Sequence, residues 1–279
     1  MQLIDEITNA AWQAARVIQA GAEDRAALVW ETKGTADFVS EIDRNAEQAI
    51  ADWLLSVYPE ARIIGEELSP DDVVLGGLSF IVDPVDGTTN YLHGYPEYAV
   101  SIGAYDGGNA LAGLILNVAT RDLYTATQGG GALRNGEPLH VSGITDPSLS
   151  LIGTGFPFKH LEYIDRYMGQ FETVMRGTSG VRRAGSAALD LATVAAGQFD
   201  GFWELGLAPW DVAAGLILVR EAGGVVTDFE GNEVLPTHGP YCAGNPAIHE
   251  WLLRAIHDSD NRLDLAQRGH NSSVNKKAR

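Results

Sequence analysis

Apolar residues first recur at helical spacing. Over residues 3–18, Leu3, Ile4, Ile7, Ala10, Ala11, Ala14, Val17 and Ile18 fall on one face, which predicts an amphipathic helix. A second helix is predicted over residues 41–57, with Ile42, Ala46, Ala49, Ile50, Trp53, Leu54 and Val57 inward and Pro59 ending it. The pattern then breaks into short strand-like runs at 61–64, 79–82, 98–105, 110–117 and 123–127. Turn signals such as Asp106-Gly107-Gly108-Asn109 separate them. Gly129-Gly130-Gly131 reads as a loop or bulge. After about Val141 the order changes to alternation. Strands are predicted at 149–154, 201–204 and 224–228, and helices at 160–176, 187–196, 211–221 and 249–257. In the first of these helices the spacing points Ile164, Met168, Phe171 and Met175 inward.

A helix pair with consecutive strands, followed by alternating strands and helices, predicts an α/β (α+β) fold. Two domains are expected, at residues 1–145 and 146–258. Residues 259–279 are poor in apolar side chains and are expected to be disordered.

Composition narrows the function. The 279 residues are 45% hydrophobic, enough for a large core. The 37 acidic and 19 basic side chains give a formal charge of −18, a poor surface for nucleic acid or an anionic membrane. Cys242 is the only cysteine, so no intrachain disulfide forms, which fits a reducing compartment. Asp5 and Glu6 stand where a signal peptide carries basic residues, and no apolar run approaches the roughly 20 residues of a membrane span. A soluble, cytoplasmic protein is expected.

Carboxylates supply the candidate chemistry. The run Phe80-Ile81-Val82-Asp83-Pro84-Val85-Asp86-Gly87-Thr88-Thr89-Asn90 ends an apolar strand with two Asp three residues apart, then turns. The turn offers free N–H groups for an anion, although an Asx-turn with a helix cap would read the same way. Ile63-Ile64-Gly65-Glu66-Glu67 again puts acids after an apolar strand. Asp211 in Pro209-Trp210-Asp211 sits where a helix cap is common, and Asp37 and Asp43 are explained as first-turn acids. Together they read differently. Converging carboxylates repel one another unless cations lie between them. Oxygen donors without a Cys or His cluster point to Mg²⁺ or Mn²⁺ rather than zinc, and such a site beside free N–H groups suits phosphoryl chemistry.

Gly65-Glu66-Glu67, Asp83 to Asn90, and Trp210-Asp211-Val212-Ala213-Ala214-Gly215 occur in the order and separation of a known family. Over about residues 5–255 the chain resembles the inositol monophosphatase family, within the lithium-sensitive, magnesium-dependent phosphatases. The resemblance implies a layered αβαβα sandwich, two to three Mg²⁺ per site with Mn²⁺ as a substitute, inhibition by Li⁺ and Ca²⁺, and a homodimer. It implies that Glu66, Asp83 and the Val85 carbonyl bind a first metal, that Asp83, Asp86 and Asp211 bind a second, and that Glu66 holds a looser third. It pairs Thr88 with Asp43 to hold an attacking water, with Glu66 in support. It gives the phosphate to the N–H groups of Gly87 and Thr88, and the polyol to Asp86, Gly185, Ser186, Ala187 and Glu204. Lys33 aligns near the outer metal. The implied reaction is hydrolysis of inositol monophosphate by direct attack of water. Histidinol phosphate, fructose bisphosphate and nucleotide 3′(2′),5′-bisphosphates are the alternative substrates. Glu204 disfavours a second phosphate. Gly153-Thr154-Gly155-Phe156-Pro157-Phe158 resembles bacterial members, some of them implicated in transcription or RNA-processing complexes. That leaves a second class of function, a regulatory binding protein that keeps the fold. The adjacent pair Arg182 and Arg183 reads as surface or dimer edge.

Overall fold

The computed structural model describes residues 2–23, 31–34, 37–39, 41–68 and 76–277, without the side chains of 31–34, 37–39, 264 and 266–277. Five layers stack as helix, sheet, helix, sheet, helix. The outer pair is α1 (Leu3–Glu23) and α2 (Glu41–Val57), and between them in the chain β1 (Glu31–Gly34) and β2 (Asp37–Val39) pair antiparallel. The pair buries Ile7, Ala11, Ile18, Ile50 and Leu54 against one face of a seven-stranded sheet. That sheet runs in sequence order from β3 (Arg62–Gly65) through β4 (Leu78–Asp86), β5 (Ala99–Asp106), β6 (Asn109–Asn117), β7 (Leu123–Thr127) and β8 (Gly131–Arg134) to β9 (Glu137–Pro138). Only β3 and β4 pair in parallel; the other neighbours are antiparallel. β4 is covered on both faces, which is why, Ser79 apart, its sequence is apolar without alternation until Asp83.

A short helix, α3 (Thr88–His93), follows β4. The second sheet takes the order β11 (Gly180–Arg182), β10 (Leu151–Thr154), β12 (Gly201–Leu207), β14 (Gly239–Gly244), β13 (Val225–Thr227), parallel between β10 and both its neighbours. The central layer, α5 (Ala187–Ala195) and α6 (Pro209–Glu221), packs between the two sheets. The last layer is α4 (Ile164–Gly177) with α7 (Pro246–Lys277). No helix among the described residues is long and apolar enough to cross a membrane.

Small residues bring α6 onto the first sheet. A Cβ at Gly103 would fall 2.8 Å from the Ala213 Cβ, and one at Gly113 would fall 2.8 Å from the Ala214 carbonyl. The Tyr105 hydroxyl donates to the Ala213 carbonyl at 2.8 Å. This contact fixes where the first turn of α6, with Asp211, meets the end of β4.

Two sequence expectations change. In α4 the buried residues are Tyr167, Gln170 and Val174, while Ile164, Met168 and Met175 are about half exposed and Phe171 is partly buried. The helix is rotated from the face its aliphatic spacing chooses. Tyr167 stacks on Trp203, and Gln170 donates to Asp260 on α7 at 2.9 Å. Polar pairing across the helix contact outweighs the local apolar pattern. The last helix also begins earlier, at Pro246, and runs past His257. Asp260 accepts from Arg166 at 2.7 and 3.0 Å, and Ser259 is buried. The Arg166–Asp260 pair therefore ties the helix to α4 just past His257, where apolar residues are sparse.

Candidate active site

β4 delivers two carboxylates to one place because its register slips. Its pairing with β5 is regular to Asp83 and resumes at Asp86, with a bulge between them. The Val85 N–H donates to Asp83 Oδ1 at 3.0 Å and closes this turn. Gly87 follows at φ 93°. A Cβ there would meet the Glu97 carbonyl at 2.8 Å and the Gly185 carbonyl at 3.2 Å, so both conformation and space require glycine.

Asp211 joins from the central layer. Asp83, Asp86 and Asp211 each present an oxygen within 4.8 Å of the others. Asp211 caps α6 through the Ala208 N–H at 2.7 Å, so capping and clustering coexist in one side chain. Asp86 Oδ2 accepts the Ser186 hydroxyl at 2.5 Å and the Ala188 N–H at 2.7 Å. Ser186 is thus buried beneath the pocket, where it holds Asp86. It also caps α5.

Glu66 leaves the end of β3 on a turn built around Glu47, which no local motif marks. The Glu47 carboxylate is buried and accepts the N–H groups of Glu67 at 2.7 Å and Leu68 at 3.0 Å. It fills the space a Cβ at Gly65 would need, 2.0 Å away. Glu66 faces Lys159, whose Nζ lies 3.9 Å from Oε1.

Burial drives the electrostatics. It raises Asp83 well above the usual carboxylate range, with Glu66 and Asp86 adding repulsion. Burial carries Asp86 to about 6 against the hydrogen bonds from Ser186 and Ala188. Asp211 rises to about 7 and Glu204 to about 8, again by desolvation first and neighbouring carboxylates second. Lys159 partly offsets the strain on Asp83, Asp211 and Glu204. Clustered hard oxygens under mutual repulsion, with one nearby ammonium, form a donor set that fits a divalent cation.

Thr88 opens the next step. Its Oγ1 lies 3.0 Å from Asp43 Oδ1 and 3.0 Å from the Val85 carbonyl. Asp43 is 1% exposed and sits on α2, behind Thr88 rather than on the cavity wall. The hydroxyl has one proton, so its lone pairs stay available to a donor on the open side.

These groups line one cavity of about 340 Å³, which also includes Val85, Gly87, Gly185, Ala187 and Glu204. Three further charged residues line it. Lys159 lies on the β10–α4 loop, Arg183 is one half of an exposed arginine pair, and Asp190 is buried on α5. Asn90 ties the two halves of the wall, donating to the carbonyls of Glu97 at 2.7 Å and Ala184 at 2.9 Å. The side chain of Lys33 lies outside the described residues. Cys242 is buried in β14, away from the cavity, and burial pushes its thiol pKa far up.

The model of the inositol monophosphatase family matches residues 2–261. The inositol-1-monophosphatase of Mesorhizobium japonicum is 42% identical over 254 residues, 91% of this chain and 96% of the relative. The Nus factor SuhB of Pseudomonas aeruginosa is 43% identical over 228 residues, 80% of this chain and 84% of the relative. The crystal structure of the extragenic suppressor protein SuhB from Bartonella henselae superposes with TM-score 0.86 at 41% identity, covering 91% of this chain and 98% of that one. The carboxylate cluster lies within the matched span, and the layered fold is that of these relatives: the chain belongs to the inositol monophosphatase family.

Proposed function

We propose that this chain is a Mg²⁺-dependent phosphomonoesterase that hydrolyses inositol monophosphate by direct attack of water. The observation that carries this reading is the opening of the Thr88–Asp43 pair beside three carboxylates within 4.8 Å of one another, in one cavity. Glu66, Asp83 and the Val85 carbonyl would hold one cation, and Asp83, Asp86 and Asp211 another. Glu66 would lend a contact to a third. Bound Mg²⁺, or Mn²⁺ in its place, supplies charge neutralisation at the phosphate and a lowered pKa for water.

The chain's own groups do the rest. Asp43 accepts a hydrogen bond from the Thr88 hydroxyl, which turns the hydroxyl's lone pairs toward water and orients that water for in-line attack. The N–H groups of Gly87 and Thr88 face the phosphate. Ser186 and the Ala188 N–H hold Asp86 in one rotamer. Glu204 and Asp86 accept hydrogen bonds from the polyol hydroxyls along the wall formed by Gly185 and Ala187. The same reading places a cytoplasmic homodimer inhibited by Li⁺ and Ca²⁺.

A regulatory role is the second reading. It is favoured by the Pseudomonas aeruginosa relative, which is named a Nus factor. Phosphate release separates the two. Inositol phosphate, glycerol phosphate, histidinol phosphate, fructose bisphosphate and adenosine 3′,5′-bisphosphate should be supplied with Mg²⁺, with EDTA and with Li⁺. Turnover of inositol phosphate that EDTA and Li⁺ suppress supports the enzyme. No turnover of any substrate with Mg²⁺ sinks it.

A further inference from the structure

Arg182 and Arg183 part company in the structure. Both side chains are exposed, but Arg182 donates to the carbonyl of its neighbour Val181. Arg183 turns to the mouth of the cavity. Its guanidinium carbon lies 5.4 Å from the ring centre of Phe156 and 5.2 Å from that of Phe158, and these rings meet edge to face. Aromatic contact holds a guanidinium by its faces and leaves its N–H edge open. Among the described residues, no carboxylate or carbonyl accepts a hydrogen bond from that edge. One Nη reaches over Gly185, where a Cβ would fall 2.7 Å from it and where φ is 96°.

Glu204 lines the same cavity, its carboxylate packed against Gly155. No hydrogen bond joins Glu204 to Arg183. One wall therefore presents open donors and another an acceptor, with space between. A hydroxyl group accepts and donates at once, so a leaving group rich in hydroxyls satisfies both walls. A simple alkyl or aryl leaving group satisfies neither.

We propose that Arg183 determines specificity by donating its open N–H edge to neighbouring hydroxyls of a polyol leaving group, which in turn donate to Glu204. This rests on the phosphomonoesterase reading of the cavity. Phe156 and Phe158 are positioning residues that hold the guanidinium.

The test compares inositol 1-phosphate with p-nitrophenyl phosphate, whose leaving group has no hydroxyl array. In Arg183→Met the ratio of kcat/KM for the first over the second falls about tenfold or more, the effect of losing a hydrogen bond to a charged group. Arg183→Lys keeps the charge without the fork and falls part of the way. Phe158→Ala falls less than Arg183→Met. Melting curves establish that each variant is folded. An unchanged ratio, whether both substrates lose equally or neither loses, overturns the proposal. A wild-type protein that hydrolyses neither substrate defeats the inositol-phosphate reading of the cavity instead. Calorimetric titration with inositol 1-phosphate then decides on Arg183, where equal affinity of wild type and Arg183→Met overturns its role and weaker binding by the variant upholds it.

Discussion

The two sides of the cavity are built differently. At the end of β4, atoms are held by short hydrogen bonds within a buried frame. Asp86 takes two donors, Asp83 one and Asp211 one, and Thr88 sits 3.0 Å from Asp43. On the loop between β10 and α4, Lys159 stands 3.9 Å from Glu66, and Arg183 rests on two partly exposed rings. The first side holds each carboxylate by hydrogen bonds inside a buried frame, an arrangement suited to fixing charge in place. The second side holds its cations by contacts that bend, which suits the recognition of a leaving group. The contrast predicts large, chemistry-wide losses from the first side and small, selective ones from the second.

The largest effect should come from Asp86→Asn. The side chain can still accept from Ser186 and Ala188 through its carbonyl, so the fold stays intact while the cluster loses one charge. Turnover should fall by about a thousandfold or more. A variant with near-normal phosphate release would contradict the role of the buried side. Next, Thr88→Ala and Asp43→Asn should each lower kcat by about a hundredfold, and the double variant should cost little more than either single one, because the two act as a unit. Additive losses would separate them.

A third, smaller effect concerns stability. In the metal-free protein, Asp86, Asp211 and Glu204 bind protons more tightly folded than unfolded, with values of about 6, 7 and 8. Between about pH 4 and 8 the folded chain keeps protons the unfolded chain has released. Stability should therefore fall as pH rises, by about 2 kcal/mol or more, seen as a Tm lower by about 5 °C at pH 8 than at pH 5.5 in EDTA. Mg²⁺ should shrink or reverse that slope. A flat profile in EDTA would show that the carboxylates do not strain the empty cluster. The smallest effect belongs to the loop side. Lys159→Met removes the ammonium beside Glu66, and calorimetry should show Mg²⁺ binding about threefold tighter. Weaker binding would mean that Lys159 supports the metal rather than competing with it.

Legibility in the sequence follows the same division. Asp83, Asp86, Gly87 and Thr88 are neighbours in the chain, so one strand, one bulge and one turn suffice to gather them. The apolar spacing predicts helix α2 to its ends because its apolar face meets a sheet in the ordinary way. Helix α4 differs. Its aliphatic stripe faces out because Tyr167 and Gln170 find partners on Trp203 and Asp260, far along the chain. Glu47 looks like a surface acid on a helix until the Glu66 turn folds around it. Arg183 looks like half of a surface pair until Phe156 and Phe158 are placed beneath it.

The sequence by itself determined the alternation of helices and strands, the acidic runs and their order, and through them the family. Those properties depend on local periodicity and on residues close in the chain, where sterics and hydrogen bonding act without help. Only the tertiary structure decided by which contacts Asp211 reaches Asp83 and Asp86, that α4 buries Tyr167, Gln170 and Val174 rather than its methionines, and that one arginine of an adjacent pair faces the cavity. Each depends on a contact across many residues. Its energy is set by which surface is desolvated and which donor finds an acceptor, and no local pattern encodes either.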